Sequence, residues 1–336
     1  MKRAFSILLR LVISGVLLWL LFREHDLTDT ILPRLQSMAE HWPWALAGLG
    51  CAFGSLFFTA VRWHVILRGI EPALPFGTVL RAELVSAFFN ISSVGVVGGD
   101  AYKIMALSRR LPGRTMPVSV SLILDHLTGF VAVSLLFLVC VAATSGRWEA
   151  MGADVRLIVT GYAIYTGGTT VGLLISWFSL KPDTLAWGRR TFPRTFGLPK
   201  FAGIIARMAR VHDIASMLWG RLLSATVVAV GIHLTFFLSF YCGLRAVGGE
   251  APVLDVITAM PIVDTAASLP VSISGLGVRE RTFEVLISGI ARVPETICIS
   301  ASLAGWLLNL WWGLAGGLLF LRSKHHPAPE PEEAAA

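Results

Sequence analysis

Residues 90–100 read Asn90-Ile91-Ser92-Ser93-Val94-Gly95-Val96-Val97-Gly98-Gly99-Asp100. They close an apolar segment that begins near residue 78 and lead into a basic connection, 99–117, with Lys103, Arg109, Arg110 and Arg114. A second stretch, Pro270-Val271-Ser272-Ile273-Ser274-Gly275-Leu276-Gly277-Val278-Arg279-Glu280, lies on the first without a gap. Ser92 then meets Ser272, Gly95 meets Gly275, and Asp100 meets Glu280. Each copy has similar neighbours. An apolar run precedes it (44–67 and 222–247) and carries an arginine near its end, Arg62 or Arg245, and another run follows (118–143 and 296–321).

Further apolar runs cover 5–22, 156–179 and 253–270. A membrane core needs about 20 apolar residues in a helix, so six runs are read as full spans and the interrupted segments 78–98 and 253–270 as re-entrant. The run 5–22 follows Lys2 and Arg3 but is succeeded by Phe22-Arg23-Glu24-His25-Asp26, a poor cleavage site, and is read as a retained span. The expected fold is all-α: a polytopic integral membrane protein of six spans and two re-entrant segments. The two units, about 44–143 and 222–321, point in opposite directions as an inverted repeat, the organisation of many transporters. One transmembrane domain fills 1–322, and the proline-rich tail 323–336 is expected to be disordered.

Composition supports this reading. Of the 336 residues, 55% are hydrophobic and 15% charged, against about 25% charged in soluble domains. The mean hydropathy is +0.71. The net charge of +7 resides in the connections between apolar runs, which argues against nucleic-acid binding. The basic connections 99–117 and 180–221 belong on the cytoplasmic side by the positive-inside rule, which places both termini in the cytoplasm; a bacterial inner (plasma) membrane is the expected location. Within 180–221, aromatic and aliphatic residues alternate with basic ones, and an amphipathic surface helix is expected at 200–218. Cys51, Cys140, Cys242 and Cys298 all sit in apolar runs without metal spacing, so no metal site, disulfide framework or cofactor is expected.

Non-helical backbone at membrane depth is tolerated only beside protein or a water-filled cavity. Stretches 90–100 and 270–280 are therefore expected to line one. Asn90, Ser92, Gly95, Gly98, Gly99, Asp100 and Lys103 from the first stretch, and Ser272, Ser274, Gly275, Gly277, Arg279 and Glu280 from the second, are the candidate lining residues. Asp100 is equally a helix cap or a partner of Lys103, and Glu280 sits between Arg279 and Arg281. Asp125 and His126 lie two turns inside an apolar span, where an ionisable side chain must face a partner or a polar interior. Arg62 is the natural partner. Arg62-Trp63 also reads as an interfacial anchor, or as a phosphate contact at the cavity mouth. Asn309 reads as an inter-helix hydrogen bond. No catalytic motif emerges; Asp125-His126 is the one candidate pair for a membrane transferase.

The order of Arg62-Trp63, Gly98-Gly99-Asp100 with Lys103, Asp125, and Pro270 to Glu280 resembles the lysylphosphatidylglycerol synthase transmembrane region family, also called the flippase-like domain family, over roughly 5–322. Its most specific part is P-x-S-I-x-G-x-G-x-R-E, here Pro270 to Glu280. The family tends to have proline where this chain reads Ser92-Ser93-Val94, and often arginine where Lys103 and His126 stand. The resemblance implies a stand-alone flippase-like protein without the soluble synthase domain. It implies movement of an amphiphile with a polar, expectedly anionic headgroup (a phospholipid, hopanoid or polyprenyl-linked lipid) between leaflets. Arg62 and Lys103 would attract the headgroup, and Asp100, Asp125 and Glu280 would hold the cavity cations and carry coupling protons. The alternative is a membrane scaffold for a lipid-modifying enzyme, docked through 180–221.

Overall fold

A computed structural model describes residues 30–92, 97–146, 151–179, 181–196, 198–269 and 271–324, with isolated positions before residue 30. Among the described residues the ordered elements are helices and short 3₁₀ turns, with no strand. In chain order they are α1 (Leu32–Gln36), α2 (Trp42–Leu67), α3 (Phe76–Ser92), α4 (Val97–Arg110), α5 (Thr115–Ala143), α6 (Ala153–Ser179), α7 (Pro182–Thr191), α8 (Pro193–Phe196), α9 (Pro199–Met217), α10 (Trp219–Ala246), α11 (Val253–Ser268), α12 (Val278–Ala291) and α13 (Glu295–Lys324). Proline occupies the first turn of α1, α2, α7 and α9, where its missing N–H costs nothing and its fixed φ suits the helix.

Five helices are long and apolar enough to cross a membrane: Trp42–Leu67, Thr115–Ala143, Ala153–Ser179, Trp219–Ala246 and Glu295–Arg322. They coincide with five of the six expected spans. The sixth, 5–22, falls outside the described residues except for isolated positions, and 325–336 of the tail lie outside them too.

Helices α3 and α11 occupy the segments expected to be re-entrant, and each is followed in the next connection by a second short helix, α4 or α12. The helices extend further into both runs than the sequence suggests. Helix α3 runs through Asn90 to Ser92 and α4 resumes at Val97, so Gly98, Gly99 and Asp100 are helical. Serine and glycine cost a helix only about 1 kcal/mol each, and an apolar setting rewards every backbone hydrogen bond that a helix closes. The second break is wider, from Leu269 to Gly277, and contains a 3₁₀ turn at Ile273–Gly275. Ser274, Gly275 and Gly277 there have φ of 54°, 72° and 84°. A Cβ on Gly275 would lie 2.7 Å from Cβ of Ala267 and 2.9 Å from its carbonyl oxygen, so only glycine fits this turn.

Helices α2 and α10 form the most extensive helix–helix contact, and α13 packs on both α3 and α10. The backbones approach closely where small residues face one another. A Cβ on Gly243 of α10 would stand 2.8 Å from the backbone nitrogen of Gly305 in α13. The larger core gathers Phe137, Phe237, Phe240, Met260 and Phe283, where α5, α10, α11 and α12 meet. A smaller one, with Trp63, Leu67, Val79, Leu107, Val118 and Leu122, ties α2, α3, α4 and α5 together. These four helices hold the polar site. Helix α9 realises the amphipathic helix expected at 200–218; Ala215 is buried against the body while Ile204, Met208 and Met217 are exposed.

Candidate functional site: a buried charge network between four helices

A cavity of about 200 Å³ lies between α2, α3, α4 and α5, lined by Arg62, Glu83, Asn90, Asp100, Lys103, Asp125 and His126, with Leu56, Thr59 and Ala87. Six of the sequence candidates meet there: Arg62, Asn90, Asp100, Lys103, Asp125 and His126. Arg62 and Asp125 form a two-pronged pair, Nε to Oδ1 at 2.6 Å and Nη2 to Oδ2 at 2.7 Å. Neither Arg62 nor Trp63 is an interfacial anchor. Arg62 is buried, and Trp63 is wholly enclosed, its indole N–H donating to Ser121 Oγ at 3.0 Å. Lys103 Nζ stands 2.7 Å from Glu83 Oε1, 3.8 Å from Asp100 Oδ1 and 5.3 Å from the centre of the Trp63 ring. His126 Nε2 lies 2.7 Å from Asp100 Oδ2.

Glu83 carries a contact that the sequence reading passed over. It lies on the face of α3 shared by Ala87 and Asn90, the i, i+4, i+7 spacing of one helix side. An acid on the same face as Asn90, within an otherwise apolar segment, was the available signal. Gly129 was passed over as well. It sits one turn beyond Asp125, and a Cβ there would lie 2.4 Å from Arg62 Nη1. Its missing side chain makes room for the guanidinium, and its carbonyl lies 3.1 Å from His233 Nε2.

Gly99 and Asn90 join the two short helices. The Gly99 N–H donates to Asn90 Oδ1 at 3.0 Å, satisfying an otherwise open donor in the first turn of α4. A Cβ on Gly99 would lie 2.3 Å from both Asn90 Oδ1 and Ser86 Oγ, so the helices meet here because residue 99 is glycine. Gly98 stands beside it in the same first turn. Gly95 and the side chain of Ser92 lie outside the described residues.

The second run is placed differently. Ser272, Ser274, Gly275, Gly277, Arg279 and Glu280 do not line this cavity, although their 3₁₀ turn packs against α3. Glu280 is fully buried and acts on its own loop. Its Oε2 accepts the Gly277 N–H at 2.6 Å, which caps α12, and its Oε1 is 3.5 Å from Ser302 Oγ and 3.8 Å from Arg279 Nη1. The Arg279 guanidinium donates to the Ser274 carbonyl and is electrostatically coupled to Asp264 on α11. This cluster fixes the wide break, whereas the first cluster encloses space.

Both Asp125 oxygens receive guanidinium N–H groups, so Asp125 is not placed to act as a general base. Among the described residues no group of His, Cys, Asp and Glu side chains could hold a metal ion.

A helical body with several apolar spans around buried ion pairs defines a multi-pass membrane protein. Residues 7–317 match the family described as the lysylphosphatidylglycerol synthase TM region, and the chain belongs to that family. A UPF0104 membrane protein of Pyrococcus horikoshii is 21% identical over 287 residues, which cover 80% of this chain and 84% of the relative.

Proposed function

We propose that this protein moves an amphiphile between the leaflets of a bacterial inner membrane, its headgroup passing through the α2–α5 cavity while its tails remain in lipid. The supporting observation is a polar cavity of about 200 Å³ lined by charged side chains inside a body of membrane-length helices. Such groups are costly in lipid and mark pathways for polar cargo. The charge pattern adjusts the expected cargo. Arg62 and Lys103 each already have a carboxylate partner at 2.6–2.7 Å, so a bare phosphate meets no uncommitted cation. A headgroup offering hydroxyl or ammonium donors suits Asp100 and Asn90 better.

The inverted repeat belongs to the same reading. Helices α2–α5 have 26, 17, 14 and 29 residues, and α10–α13 have 28, 16, 14 and 30. This long–short–short–long order, with the two aligned sequence runs at corresponding places, supports two related units, and the placement of the basic connections favours opposite directions for them. The basic connections 99–117 and 180–221 favour a cytoplasmic position for both termini.

The test is leaflet exchange of fluorescent phospholipid, hopanoid and polyprenyl-phosphate analogues in proteoliposomes. The wild type is compared with the paired variant Glu83→Gln/Lys103→Met, which removes both charges of that ion pair together and so strands neither of them. Exchange of one analogue by the wild type and its loss in the folded variant are expected. Exchange no faster than in empty vesicles for all three would overturn the reading.

A second reading rests on the exposed apolar side chains Trp187, Phe192, Leu198 and Ile204 in the 180–221 connection. They offer a surface for a lipid-modifying enzyme, and such a partner would co-purify stoichiometrically in mild detergent.

A further inference from the structure

The cavity's fixed charges do not balance. Arg62 cancels Asp125 and Lys103 cancels Glu83 at contact distance. Asp100 remains, with Lys103 Nζ more distant at 3.8 Å and already engaged. Arg62 and Lys103 against Glu83, Asp100 and Asp125 therefore leave one negative charge when His126 is neutral and none when it is an imidazolium. A lone charge in a poorly solvated space is costly, and taking up a proton removes that cost.

Geometry places the uptake at one residue. A nitrogen 2.7 Å from a carboxylate oxygen must carry the hydrogen between them. The Nε2–H of His126 is thus donated to Asp100, and Nδ1 is the atom that accepts a proton from water. Access agrees with this. The side chains of His126 and Asp100 are 48% and 24% exposed, whereas those of Arg62, Asp125, Lys103 and Glu83 are all at 8% or less. The unbalanced pair thus lies at the accessible edge of an otherwise buried network. The groups facing it are Arg62 from α2, Glu83 and Asn90 from α3, Asp100 and Lys103 from α4, and Asp125 from its own helix.

We infer that the His126–Asp100 pair is a proton-binding site that exchanges one proton for one lipid headgroup. This rests on the transport reading above and names its coupling ion. Asp100 is the shared element. An imidazolium or a donor on the headgroup satisfies its carboxylate, and either one excludes the other from the same oxygens. A proton enters on Nδ1 from the acidic side. When the headgroup takes Asp100, His126 releases that proton to water on the opposite side, with no other bond made or broken. A proton moving one way therefore returns a lipid the other way.

The experiment uses full-length protein in vesicles with trapped pyranine, the membrane potential clamped with potassium and valinomycin, and whichever fluorescent lipid analogue exchanges without a gradient. A gradient of about 1 pH unit should shift the leaflet ratio of that lipid up to about tenfold toward the acidic side, with one proton moved per lipid. His126→Gln and His126→Arg hold the residue neutral and charged respectively. In both, the leaflet ratio should settle at its gradient-free value however slowly it is reached. Lipid exchange in the wild type without proton movement, a shift toward the alkaline side, or an equal response to a sodium gradient at constant pH would each overturn the inference. So would a wild-type response in either variant. A variant that moves no lipid is replaced by the wild-type proton count, which decides alone. Absence of any exchange before a gradient is applied would instead overturn the transport reading itself.

Discussion

Arg62 and Asp125, separated by 63 positions in sequence, are joined by two parallel hydrogen bonds that lock α2 to α5 inside the membrane body. The fork of the guanidinium matches both carboxylate oxygens, a geometry that lysine cannot reproduce.

Breaking that pair from one side strands a buried charge. Arg62→Ala or Asp125→Ala should each destabilise the protein by about 3–5 kcal/mol. The paired change Arg62→Met/Asp125→Leu should recover most of this, since an apolar pair of similar volume replaces a costly ionic one. Thermal unfolding in detergent measures both. Single variants as stable as the wild type would show that the pair is not sealed from water.

The glycine facing the guanidinium gives a sharper steric test. Gly129→Ala places a methyl 2.4 Å from Arg62 Nη1, and overpacking of this kind costs about 1–3 kcal/mol. A methyl added at Gly167 on α6 would meet nothing within 4 Å, so Gly167→Ala should leave the melting temperature unchanged or slightly raised. Equal behaviour of the two would contradict the tight seat of Arg62.

Glu280 and Asp100 occupy aligned positions yet perform different work. Glu280→Gln keeps an oxygen for the Gly277 N–H, while Glu280→Ala removes the cap at a cost of about 0.5–2 kcal/mol. Hydrogen exchange at Gly277 to Arg281 should therefore rise in the alanine variant and hardly change in the glutamine one. Asp100→Asn should instead abolish lipid exchange. Full activity in both Asp100→Asn and Glu280→Gln would remove the acids from any part in transport.

Asn309 donates to Ser239 Oγ at 2.9 Å, linking α13 to α10. A double-mutant cycle with Asn309→Leu and Ser239→Ala should give a coupling of about 1 kcal/mol or less. A coupling several times larger would mark Asn309 as more than an inter-helix fastening.

Orientation is checked by single cysteines in a background where Cys51, Cys140, Cys242 and Cys298 are replaced. Glu250→Cys, on an exposed connection, should react with an impermeant maleimide added outside the cell, and Pro112→Cys should not. The reverse pattern would invert the topology.

Much of the site was legible from the sequence, for a definite reason. Asp125 and Arg62 stand out because an ionisable group in an apolar run requires a partner, and the chain offers few. Asn309 was readable on the same grounds. Glu83 was harder to see, because Arg81 beside it makes the segment look like a charged end and only the helix face it shares with Asn90 reveals its direction. Gly129 was not readable at all. A glycine in an apolar span is unremarkable until the group opposite it is known.

The sequence by itself determined that the chain is helical and membrane-embedded, where its long apolar runs lie, and that two similar interrupted segments stand at corresponding places. Hydrophobic length, charge placement and local spacing are properties of neighbouring residues, and the chain states them directly. Only the tertiary structure decided that one run encloses a cavity while the other closes on itself. In the first, α2, α3, α4 and α5 bring six ionisable side chains around shared space. In the second, Glu280 turns back to the backbone of its own loop. The same residue types at the same spacing can serve either end, and the choice is made by which distant helix supplies, or withholds, the opposing charge.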